Sequence, residues 1–378
     1  MELKVKKKDL ILIVLLCIVF CSTISGTKIN PNIGYAILLL VSIWGILNFL
    51  MMSKDKQQAK YFTTILKGNF PIKVIIHFYS IMLVFLGLTS SAYLSGNLQT
   101  YINAVSAICI FFVFGDSTLK DSVVALFITL IVAVATQYKV GMRIHDISFA
   151  AGYILIYYFI IKNKVNKKNI KWIFIMLVIL GIAQKDIQFF GLLLLLFVHF
   201  FTFKLSDRTQ EIVFRIGTFI FIIALYLYVY IVINGSFFEL LETYGISTSG
   251  RNYYYKVIRD LCSFSPSYLG LGRNAMAKLF STKYAYMRVG NIHSDILRMY
   301  AECGFVVFSL WIVNYFMIFP RLIERSYGSE TKRKYLILTF FTFICYLTDN
   351  TELYIVTQYF YILVLIYTLN LKKETINT

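Results

Sequence analysis

The sequence predicts an all-α polytopic membrane protein with about twelve transmembrane helices and one large extracytoplasmic loop. Three observations carry that class. Hydrophobic residues make up 58% of the 378 positions, and the mean hydropathy of +0.71 lies far above that of water-soluble domains. Only 15% of residues are charged, yet the formal net charge is +18, and those charges sit in short gaps between apolar runs. Nucleic-acid binders are basic because their surfaces are dense in Lys and Arg, so this distribution points to basic membrane loops instead. Finally, many apolar runs approach the roughly 20 residues that a helix needs to cross a ~30 Å hydrocarbon core.

Taken in order, the spans expected are 10–26, 34–52, 73–94, 98–115, 121–138, 147–162, 171–184, 187–203, 212–233, 303–320, 335–348 and 353–370. Only "QKDIQ" separates the pair around 171–203, which forms either a helical hairpin or one bent element. The basic "MELKVKKK" before the first run resembles the start of a signal peptide. With no small-residue cleavage site and many spans following, a retained first helix is expected. The six cysteines are scattered without a CxxC pair, so they read as small apolar fillers, with no disulfide or metal site expected.

Lys and Arg concentrate in every second gap, in "KDKQQAKYFTTILKGNFPIK", "KNKVNKKNIK", "RLIERSYGSETKRK" and the terminal "LKKET". The alternate gaps hold "SGNLQT", the acidic "TDNTE" and other lightly charged turns. The positive-inside rule then places both termini in the cytoplasm. Three regions follow: nine spans in 1–233, a large exterior connection over 234–302, and three spans with a cytoplasmic tail in 303–378.

That exterior connection of about 70 residues departs from the charge rule, with eight Lys and Arg against five Asp and Glu. Long loops translocate regardless of charge, so the topology stands. A basic, tyrosine-rich loop ("RNYYY", "YAYMR") suits an anionic ligand and a carbohydrate, because guanidinium groups bind phosphate oxygens in pairs and aromatic faces stack on sugar rings. The bland alternative is a loop resting on anionic headgroups.

Three pieces of the loop stand out. In "STSGRNYYYKVIRDL", Ser249-Gly250 starts a helix with Arg251 in its first turn. In "SPSYLGLGRNAMAKLF", Gly270 and Gly272 flank a turn and Arg273 follows directly. Without a third glycine or a preceding strand this is no dinucleotide fingerprint, although two glycines before a short helix can offer N–H groups to an anion. In "NIHSDILRMYAECGF", helical spacing puts His293 on one face with Ile296, Leu297, Tyr300 and Gly304, directed at the bundle. Asp295, Arg298 and Glu302 fall on the opposite face, where they can satisfy one another. At other exterior span ends, Arg143, His145 and Asp146, and Lys185 with Asp186, are intramembrane charges that mark function or anchor the interface. His77 and His199 read as structural.

The order "GR" at the loop start, then "GLGR", then "NIHSDILRMYAECGF" resembles the pattern of bacterial O-antigen and capsule repeat-unit polymerases (the Wzy type) and the related O-antigen ligases. His293, Leu297, Glu302 and Gly304 match the spacing of that superfamily's last motif, with Cys303 between the Glu and the Gly, and Asn291 two positions before the histidine. The resemblance implies a membrane-type (GT-C-like) fold in the bacterial cytoplasmic membrane. It also implies a metal-independent, inverting glycosyltransferase without cofactors. Donor and acceptor would be polyprenyl-pyrophosphate-linked oligosaccharides, with a flippase and a chain-length regulator as further partners. On that basis Arg251 and His293 are the expected catalytic residues, the first on the pyrophosphate and the second as base or acceptor-orienting group. Arg273, Arg143 and Lys185 are expected to bind the lipid phosphates, with Glu302 and Arg298 in support. Two alternatives remain. A ligase would transfer the finished glycan to another acceptor, whereas a flippase would have broken, charged helices near the membrane midplane. With four prolines, no repeat and its polar cluster in one loop, the chain fits the flippase less well.

Overall fold

The computed structural model describes residues 7–23, 30–52, 102, 105–111, 113–137, 145–162, 167–183, 186–235, 239, 242–245, 251–272, 274–287 and 292–370. Helices and turns account for all regular structure among these residues, and no strand occurs. In hydrocarbon every backbone N–H and C=O must find its partner within the protein, and a helix does so along its own length.

The helices are α1 (Lys7–Thr23), α2 (Pro31–Met52), α3 (Thr118–Gln137), α4 (His145–Ile156), α5 (Lys167–Ala183), α6 (Asp186–Phe203) and α7 (Asp207–Asn234). After them come α8 (Arg251–Leu261), α9 (Ala275–Ser281), α10 (Asp295–Val313), α11 (Phe319–Tyr327), α12 (Ser329–Tyr346) and α13 (Ile355–Asn370). Single π-helical turns extend α4 over Tyr157–Ile161 and join α10 to α11 over Asn314–Ile318. Among the described residues, four helical stretches are long and apolar enough to cross a membrane: Thr118–Thr136, Asp186–Phe203, Asp207–Asn234 and Asp295–Tyr327. Shorter apolar helices lie in α2, α4, α5 and α13.

Exposure on these helices is of the kind that only lipid covers. Phe189, Phe190, Phe197, Phe200, Phe201 and Phe203 are all exposed on α6, and Ile216, Phe219, Ile220 and Ile223 on α7. Contiguous apolar faces of this extent are not left open to water in monomeric soluble proteins. The chain is a helical membrane protein.

The runs around 171–203 form two helices, α5 and α6, and the expected span 73–94 lies outside the described residues. The span expected at 303–320 begins earlier, at Asp295, so residues allotted to the loop form the first turns of α10.

The described residues fall into two compact units. One comprises those within Met1–Lys73, Gln99–His199 and Thr351–Thr378, the other those within Val74–Leu98 and Phe200–Asn350. The first packs α1 against α3 and α13 against α4. Its buried polar groups are paired across helices: the Ser122 and Tyr359 hydroxyls lie 2.8 Å apart, and the Gln188 amide donates to Ser148 at 2.8 Å. The second is held by an aromatic core in which Trp311 meets Phe343 at 4.8 Å between centroids and stacks on Tyr346. Phe316 packs on both Phe340 and Phe343. This core fixes α10 against α12, and the start of α10 carries the candidate site.

Candidate functional site

The site rests on a backbone crossing that the sequence marks only with glycines. Helix α10 is interrupted at Gly304, whose φ of 75° and ψ of 176° occupy a region essentially reserved for glycine. The break withdraws helical partners from the preceding carbonyls, and residues 268–272 supply replacements. Leu271 N–H donates to the Ala301 carbonyl and Gly272 N–H to the Glu302 carbonyl, while Phe305 N–H donates to the Tyr268 carbonyl, each at 2.9 Å. The two chains approach so closely that a Cβ on Gly270 would stand 2.5 Å from the Glu302 carbonyl oxygen, and one on Gly304 2.4 Å from that of Tyr268. The amides of Leu271 and Gly272 are therefore engaged by α10 and are not offered to an anion, as the two-glycine turn had suggested.

Aromatic side chains clamp the crossing. Tyr268 and Phe264 both stack on Tyr300, whose hydroxyl donates to the Ser263 carbonyl at 2.7 Å. The Tyr268 hydroxyl is 2.8 Å from the Ala301 carbonyl and 3.1 Å from Cys262 Sγ. Burial pushes the Tyr268 phenol up, with Cys262 adding to the shift, and pushes the Cys262 thiol up to about 11.

Every residue from Ser294 to Gly304 is buried. This reverses the face assignment made from helical spacing. The helix starts at Asp295, capped by the Ser294 hydroxyl, which accepts from Leu297 N–H. His293 lies outside it with a left-handed φ of 54°, and its side chain is 47% exposed. Asp295, Arg298 and Glu302, expected on the outer face, are enclosed (0%, 1% and 0% exposed). The reason is tertiary: α8 and α9 pack on α10, residues 268–272 cross it at Ala301–Phe305, and the segment after α12 meets it at Asp295. Asp295 and Arg298 do pair, Arg298 giving Oδ1 both Nε (3.2 Å) and a terminal nitrogen (2.7 Å). Glu302 instead accepts from Met276 N–H at 3.2 Å, in the first turn of α9. There its negative charge meets the positive end of the helix dipole.

His293 is placed between two elements. The segment following α12 wraps the start of α10, with Asp349 C=O accepting from Asp295 N–H at 3.1 Å and the Ser294 hydroxyl 3.2 Å from Tyr346 C=O. This brings the buried Asp349 carboxylate to 3.9 Å from His293 Nδ1, on the ring edge opposite Nε2. Asp349 belongs to "TDNTE", which composition marked only as an acidic exterior turn. On the other side, Tyr254 of α8 lies 6.0 Å from the His293 ring.

Helix α8 packs on α7 and α10, and the expected start at Ser249-Gly250 lies outside the described residues. Spacing at i, i+3, i+4 and i+7 directs Arg251, Tyr254, Tyr255 and Ile258 to one side, where Tyr255 and Ile258 are buried. The Tyr228 hydroxyl donates to Leu347 C=O at 2.9 Å, so the Tyr255 hydroxyl, also 2.9 Å away, donates to it. Ser294 Oγ is 3.5 Å from the same Tyr228 oxygen. Arg251, on that same side of α8, is half-buried. Burial pushes the Tyr255 phenol up, and the Arg251 charge opposes that shift. Arg259 of α8 pairs with Glu239 at 2.7 Å.

The structure thus gathers Arg251, Tyr254, His293 and Asp349 at one end of the second unit. Arg273, Arg143 and Lys185 lie outside the described residues, as does the His145 side chain. Among the described residues no three His, Cys, Asp or Glu side chains form a metal-ligating group. Fold and site define a helical membrane protein with a polar, partly open constellation beside a membrane helix. The chain matches no protein-family model and no curated protein.

Proposed function

We propose that the protein is an inverting glycosyltransferase that polymerises polyprenyl-pyrophosphate-linked oligosaccharide repeat units at the outer face of the bacterial cytoplasmic membrane. The observation that carries this reading is the placement of Arg251 and Tyr254 on one side of α8, with Tyr254 6.0 Å from His293 and the Asp349 carboxylate on the other side of that histidine. A fixed cation and a base at the same end of one unit match the two demands of glycosyl transfer from a pyrophosphate.

In the step proposed, an acceptor hydroxyl oxygen attacks the anomeric carbon as the bond from that carbon to the phosphate oxygen breaks. The pyrophosphate departs with the bonding electrons, opposite Arg251, whose charge needs no change of protonation. The hydroxyl proton passes to His293, at Nε2, while Asp349 on the Nδ1 side favours the imidazolium that forms. Attack from the face opposite the leaving group inverts the anomeric centre. The full architecture in this reading has about twelve spans in a GT-C-like arrangement, both termini in the cytoplasm and the 234–302 region outside.

The experiment is product analysis with purified protein and its lipid-linked repeat unit. Wild-type protein gives a ladder of chain lengths, and Arg251→Ala and His293→Ala each abolish it while the protein remains in the membrane. Normal ladders from both variants would overturn the site. Product of one repeat attached to a different acceptor would indicate a ligase.

A further inference from the structure

At the opposite end of the second unit, α7, the π turn at Asn314–Ile318, α11 and α12 line a half-open cavity of about 420 Å³. It extends along α7 from Glu211 to Ile222, ~16 Å at the helical rise. Its chemistry changes along that length. Phe219, Ile222, Phe316 and Met317 line the apolar part, and Phe219 is 66% exposed. The other end is charged. There the nearly buried Lys332 bridges Glu211 and Glu324, which neutralises much of the acidic lining.

Two arginines remain at the rim. Arg215 gives only Nε to Glu211, at 2.8 Å, so its two terminal nitrogens have no partner among the described residues. Arg321 is exposed and makes no hydrogen bond or ion pair among the described residues. With two acidic and three basic side chains, the lining carries a net positive charge.

We propose that this cavity binds an anionic diacyl glycerophospholipid, its phosphate held by Arg215 and Arg321 and its chains lying over Phe219, Ile222 and Met317. Guanidinium groups pair with phosphate oxygens in bidentate fashion. The volume, about that of fourteen liquid waters, takes a headgroup and the first methylenes and leaves the rest of each chain in the bilayer. This end of the unit also carries Arg208 and Arg325, besides Arg333 and Lys334, which pair with Asp207 and Glu330. Such basic ends face the leaflet that holds anionic phospholipids, and basic pockets between helices select their headgroups. The site is independent of the reaction proposed above.

The test uses the full chain in mixed micelles of detergent with phosphatidylglycerol, phosphatidylcholine or polyprenyl phosphate. Phosphatidylglycerol is expected to raise the melting temperature about 5 °C more than phosphatidylcholine, and the Arg215→Gln/Arg321→Gln double variant to lose that excess. Native mass spectrometry of wild-type protein after exchange into phosphatidylcholine is expected to retain one phosphatidylglycerol per chain. The proposal is overturned by equal shifts from the two phospholipids, by an excess that survives in the double variant, by no retained lipid, or by a larger shift from polyprenyl phosphate.

Discussion

His293 occupies a left-handed backbone conformation that costs a residue with a Cβ about 1 kcal/mol or more. Packing maintains it from both sides: Ser294 is tied into the cap of α10 and to Tyr346, while Asp349 is tied to Asp295 N–H. The strained backbone turns the imidazole out of the helix and leaves it half exposed with a buried carboxylate behind it. Asp349→Asn keeps the size of the side chain and removes its charge. We expect turnover to fall about 10²-fold with unchanged protein level, read as the initial rate of chain extension; an unchanged rate would remove Asp349 from the site. The chemical character of His293 was legible in the sequence, but its orientation was not. Asp349, 56 positions later, carried no local signal linking it to the histidine. The Asp295–Arg298 pair was legible, because a three-residue helical spacing makes neighbours without help from the rest of the fold.

Among the elements, the crossing of 268–272 over α10 dictates the layout. "GLG" and "ECG" sit more than thirty residues apart in sequence, yet the glycines of one exist because of the other. Gly304→Ala and Gly270→Ala each force a Cβ into backbone atoms from a positive φ. Each is expected to destabilise by about 3 kcal/mol or more. Gly181→Ala in α5, where a Cβ meets nothing within 4 Å, is expected to be neutral or stabilising by up to about 1 kcal/mol. Melting temperatures of the three variants in detergent check this, and equal effects at all three would refute the crossing. A glycine announces that a side chain is excluded without naming what excludes it. For that reason "GLG" read as an open anion cradle, whereas its amides are taken by α10. The same crossing gives Glu302 a structural task at the start of α9.

At the scale of the whole molecule, the chain interleaves its two units, since the last helix returns to the unit that contains the first. The topology proposed places the site end of the second unit outside and its Lys- and Arg-rich end inside. Reporter fusions near residue 265 are expected to report exterior, and fusions near residues 206 and 328 cytoplasm; exterior signal at either of the latter would overturn that topology. Composition and the length of apolar runs by themselves determined that the chain is helical and membrane-embedded, because lipid leaves each segment to satisfy its own backbone. Only the tertiary structure decided which polar side chains are enclosed and which remain accessible. Burial depends on what packs against a helix from elsewhere in the chain: α9 meets Glu302, and the segment after α12 meets Asp295 and backs the exposed His293.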